Sequence, residues 1–68
     1  MDPTQTLISL VIAIQDLEPG EIDHLAECLN DWLKGGGFEP EKIEVYDKDV
    51  VDYLDQLGFA RFISNYEN

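Results

Sequence analysis

The sequence has one cysteine, one histidine, one tryptophan and only four lysines and arginines. With Cys28 alone, no disulfide forms within the chain, and packing must hold the fold together. His24 is the only imidazole, so a zinc site completed within one chain lacks the His and Cys ligands that such sites use. The main apolar stretch, Leu7 to Ile14, falls far short of the roughly 20 residues of a membrane-spanning helix. Met-Asp-Pro-Thr-Gln-Thr precedes it without a lysine or arginine, so no secretory leader is read there. The expected location is cytoplasmic and reducing, and the lone cysteine agrees.

What the chain has in abundance is acid. Fifteen Asp and Glu stand against four Lys and Arg, a net charge of −11 in 68 residues. Such a field repels phosphate and anionic lipid, so neither direct nucleic-acid binding nor membrane binding is expected. It favours a partner protein with a basic face, although acid also serves solubility alone. Apolar residues make up 44% of the chain and fall in periodic runs, which sets disorder aside. A chain this short is one domain, residues 1–68, with a thin core that a second copy often completes.

The runs read as helices. Asp2 followed by Pro3 is a helix start, with Asp2 capping free amides and Pro3 at the first helical position. A helix is predicted from Pro3 to Asp16. Its apolar positions, among them Leu7, Ile8, Leu10, Val11, Ile12 and Ile14, cover more than one face. The same residues are β-branched enough for Leu7 to Ile14 to be a buried strand, which pairing with Ile43 to Tyr46 would make an α+β domain with a short two-stranded sheet. Leu17-Glu18-Pro19-Gly20 is turn chemistry, with Gly20 free to take whatever φ the chain needs. A second helix starts near Gly20 or Glu21, because Ile22, Leu25, Ala26, Leu29, Trp32 and Leu33 recur at steps of three and four. It stops at Gly35-Gly36-Gly37, with Gly35 or Gly36 as the left-handed cap.

Phe38 to Tyr46 reads as a connector that packs Phe38, Ile43 and Val45 on the core. Asp47 caps a helix through Leu57 that buries Val50, Val51, Leu54 and Leu57, with Tyr53 flanking. After Gly58, the spacing of Phe59, Phe62, Ile63 and Tyr66 predicts a short terminal helix. Trp32, Phe38, Phe59 and Phe62 are read as core aromatics. The fold class is therefore all-α, a small bundle of three to four short helices completed by homodimerisation.

No constellation in the chain points to catalysis, and no catalytic residue, metal ligand or cofactor is assigned. Glu21, His24, Cys28 and Asp31 share a helix face, but Glu21 to Asp31 spans about 15 Å, too far for one site. Asp47-Lys48-Asp49-Val50-Val51-Asp52 resembles a calcium loop only in acid density. Its sixth and twelfth positions, Asp52 and Gly58, are not the glycine and glutamate such a loop needs. The three glycines follow a helix and lack the lysine of a phosphate loop. His24 and Cys28 lie four residues apart with no third group to orient them.

The expected function is a small, acidic, non-enzymatic module that binds a larger protein with a basic surface. The carboxylates assigned to that contact are Asp23, Glu27, Asp31, Asp49, Asp52 and Asp55. In one alternative they mimic nucleic acid in a basic cleft, as inhibitors carried by phages and plasmids do. In another the chain is a structural, oligomerising accessory subunit. Ile8, Val11 and Ile12 form the expected homodimer face, because the first helix has more apolar surface than the chain can cover.

Overall fold

A computed structural model describes residues 2–66. It contains α1 (Pro3–Gln15), α2 (Pro19–Lys34), α3 (Lys48–Gln56) and one 3₁₀ turn, Ala60–Phe62. The chain is mostly helical, as the periodicities require. Leu7 to Ile14 lies inside α1, so the two-stranded alternative is wrong for that segment. Cap chemistry outweighs β-branching there: Asp2 Oδ1 accepts from the amides of Thr4 at 3.0 Å and Gln5 at 3.3 Å, and Pro3 occupies the first turn.

α1 is the central element. It packs on α2 and α3, whereas no Cα of α2 lies within 8 Å of one in α3. Leu7, Leu10, Ala13 and Ile14 of α1 meet Ile22, Ala26 and Leu29 of α2 and Val50 and Leu54 of α3 in one core. Val45, Phe59, Phe62 and Ile63 close it from the connector and the C-terminal segment. Among the described residues no polar side chain is buried.

Each helix ends in the same way. The amide two residues past the cap donates back to the carbonyl of the third-last helical residue: Glu18 to Ala13 at 3.1 Å, Gly37 to Trp32 at 3.0 Å, and Phe59 to Leu54 at 2.8 Å. The residue between takes a left-handed conformation in this motif. Gly36 and Gly58 do so with φ of 85° and 88°. After α1 the position falls to Leu17, with φ of 54°. Gly20 was the residue expected to take unusual torsions, but it sits inside the first turn of α2, which starts one residue earlier at Pro19. Proline fits the first helical position because its missing N–H has no partner there.

The connector departs most from expectation. Phe38 does not reach the core: it is 68% exposed and meets the Trp32 ring edge-on at 5.6 Å. Trp32 is itself half-buried and donates its indole N–H to the Phe38 carbonyl at 2.8 Å. The Glu41 amide donates to Thr4 Oγ1 at 2.9 Å, which ties the connector to α1. Beyond it the predicted helix from Phe59 to Tyr66 is replaced by the single 3₁₀ turn. Ile63 then becomes extended and forms a parallel bridge with Ile43. Ile43 donates to the Phe62 carbonyl at 2.9 Å and accepts from the Ser64 amide at 2.8 Å. Asn65 extends the bridge with its side chain, accepting from the Val45 amide at 3.0 Å and donating to the Val45 carbonyl at 3.1 Å. The apolar positions were read correctly, since Phe59, Phe62 and Ile63 are buried. Their spacing of three and four suits a 3₁₀ turn leading into an extended residue as well as a helix, and too few residues remain to make a helix stable.

Candidate interaction surface

The six assigned carboxylates all lie on exposed positions. Asp23, Glu27 and Asp31 recur every fourth residue along α2, and Asp49, Asp52 and Asp55 every third along α3. Both spacings place neighbours on one helix face, about 4.5–6 Å apart along the axis. With no Cα of α2 within 8 Å of one in α3, the carboxylates form one stripe on each helix. Asp49 also belongs to the first turn of α3, where a carboxylate is favoured by the helix dipole.

The stripes are little neutralised. The one ion pair among the described residues is Arg61 Nε to Glu39 Oε2 at 3.3 Å, and it involves neither stripe. The field shows on the tyrosines. The Asp55 charge beside Tyr66 holds that phenol above its ordinary value of 10.0, helped by desolvation, a hydrogen bond to Asp55 and the charge of Asp52. Tyr46, hydrogen-bonded to Glu44, is raised in the same sense by that bond and by the Glu44 charge.

Of the residues assigned to a dimer face, Ile12 is 51% exposed, while Ile8 and Val11 are half-buried. Val11 packs against the core cluster. The uncovered apolar surface of α1 is therefore narrower than the sequence suggested and centres on Ile12.

A feature missed by sequence reasoning lies at the other end of α1. Its last residues meet the first turns of α2 and α3 around a cleft of about 220 Å³. Buried Ile14, Ile22 and Val50 line it, together with Leu17, 82% exposed, and Tyr53, 36% exposed. Asp47 and Asp49 complete the lining, and Asp47 Oδ1 also accepts from the Asp49 amide at 3.0 Å. Two sequence segments far apart build this cleft, so no local pattern announces it. The one available signal was a leucine where a helix stop favours glycine.

His24 and Cys28 do meet, Nε2 to Sγ at 3.8 Å, on the exposed side of α2. Among the described residues no three His, Cys, Asp or Glu side chains gather as metal ligands. The wider depressions, beside Phe38 and Glu41 and beside Lys42 and Arg61, are open surface with no buried polar group. Chemically, this surface presents charge in stripes on α2 and α3 and exposed apolar groups at Ile12 and the cleft. No helix is long and apolar enough to cross a membrane among the described residues. Comparisons with protein-family models, curated proteins and solved structures each return no match, so no family's residue roles carry over to this chain.

Proposed function

We propose that this chain is a non-enzymatic interaction module that binds a larger protein through its acidic surface, in the cytoplasm. The observation that carries the reading is the pair of exposed carboxylate stripes on α2 and α3, left without ion pairs. Folding alone gives no reason to hold so many like charges on one small surface, since their mutual repulsion opposes compaction. A basic partner relieves that repulsion and is steered toward the stripes. A protein face that normally holds nucleic acid is one such partner, and carboxylates in regular helical rows then take the place of phosphates.

The test is capture of partners from the source's lysate at low salt, followed by binding measurements on the purified partner. Replacing Asp49, Asp52 and Asp55 together with asparagine is expected to weaken binding by at least about tenfold, the equivalent of about 1.4 kcal/mol. Unchanged affinity in that variant overturns the role of the α3 stripe.

A second reading, the structural subunit, is favoured by the exposure of Ile12. In that reading Ile8, Val11 and Ile12 meet their copies across a twofold axis. Ile12→Glu then converts a dimer to a monomer in sedimentation and leaves partner binding intact. A wild-type chain that sediments as a monomer removes this reading.

A further inference from the structure

We propose that the cleft between the end of α1 and the starts of α2 and α3 is a docking site for one apolar side chain presented within a Lys- and Arg-rich segment of the partner protein. This inference rests on the reading of the chain as an acidic interaction module.

It starts from a comparison the molecule makes with itself. Three helices end in one hydrogen-bonding motif, and two of the three left-handed positions are glycine. Leucine at the third adopts a conformation that a β-carbon disfavours. The fold gets nothing in return, because the Leu17 side chain is 82% exposed. A large apolar group held in water, at a strained position, lies beside a cleft lined by the buried aliphatic side chains of Ile14, Ile22 and Val50. Strain of this kind marks a site when something binds there.

Size and charge select the occupant. At about 220 Å³ the cleft is smaller than the roughly 300–1,000 Å³ of small-molecule pockets, so it fits a single side chain better than a metabolite. Asp47 and Asp49 line it, and Asp16 and Glu18 flank Leu17 in the chain. Lys48 is the only cation of the adjoining turns, and it is not among the lining residues. A second copy of the chain brings a further net charge of −11 to this acidic edge and is repelled. A leucine or phenylalanine flanked by lysines and arginines satisfies both the lining and its surroundings: the apolar group is desolvated between Leu17 and Tyr53 while the cations pair with the carboxylates.

The experiment titrates the full ¹⁵N-labelled chain with a synthetic peptide carrying one central leucine among lysines and arginines, and with its central-alanine counterpart. The leucine peptide is expected to bind about tenfold more tightly, the effect of burying a few methylenes, and to shift the amides of Leu17, Val50 and Tyr53. Leu17→Gly is expected to melt at a higher temperature yet lose that discrimination, and Tyr53→Ala to weaken it. Equal binding of the two peptides, with shifts spread along the acidic stripes, overturns the cleft but leaves the acidic module standing. Binding of neither peptide overturns both, and concentration-dependent self-association through the cleft residues overturns the choice of occupant.

Discussion

At the residue scale, close approach and backbone handedness decide what each position tolerates. A β-carbon built on Gly37 would lie 2.4 Å from the Trp32 ring, so the indole rests directly on a bare backbone. Gly37→Ala is expected to displace Trp32, break its 2.8 Å bond to the Phe38 carbonyl, and cost about 1–3 kcal/mol. Tryptophan fluorescence during urea unfolding reads both effects. At Leu17 the sign reverses: glycine relieves the left-handed strain, less the entropy that glycine adds to the unfolded chain. The net gain is about 0.5–1 kcal/mol, or roughly 2–8 °C in melting temperature. Asp2 and Asp47 were legible as caps because their chemistry is local, a short carboxylate beside free amides. Leu17 was not legible as a left-handed residue, since nothing in its own chemistry asks for that conformation and Gly20 close by offered a more obvious candidate.

At the scale of elements, α1 organises the fold by packing on both other helices, and its N-terminal cap fixes where it starts. Asp2→Ala is expected to cost about 1 kcal/mol, seen as a lower urea midpoint with an unchanged slope. The C-terminal segment depends on one side chain standing in for a strand. Asn65→Ala removes both of its bonds to Val45 and leaves a partly buried amide without its partner, for a loss of about 1–3 kcal/mol. This is where sequence reading ran out. The apolar residues of the last segment were identifiable from spacing, but pairing Ile43 with Ile63 depends on how the connector returns across the core. Likewise Phe38 was read as core from its ring alone, although Trp32 holds it by the backbone and leaves the ring outside.

α3 carries its own electrostatic signature. Asp55 and Asp52 disfavour the ionised phenol of Tyr66, so its pKa in the folded chain lies above the ordinary 10.0. A raised folded value means that the stabilisation is complete below the unfolded pKa and is lost as pH climbs through the folded one. Stability therefore declines in the alkaline range above 10.0, with no contribution from this group to changes near neutrality. Absorbance titration is expected to place Tyr66 ionisation above the usual range and to show it move down in Asp55→Asn. A Tyr66 curve that ignores that substitution contradicts the assignment of the cause.

At the scale of the whole molecule, the described residues form a body of 29 × 26 × 18 Å with a radius of gyration of 11.0 Å. A core this thin leaves most side chains at the surface, so surface chemistry dominates what the protein can do. Charge was legible from composition, and helical periodicity was enough to place the six carboxylates on exposed positions of two helices. Their division into two separate stripes was not, because it follows from α2 and α3 both packing on α1 with their backbones kept apart. The apolar cleft was also out of reach, being assembled from residues 14–22 and 47–53. The proposed function rests on that charge in stripes and on the apolar notch among acids, read as the surface a basic partner would need. Affinity for the partner recovered from lysate, measured across a range of salt concentrations, tests that claim most directly. The account predicts a steep, steady loss of affinity as salt rises, and an affinity indifferent to salt would contradict it.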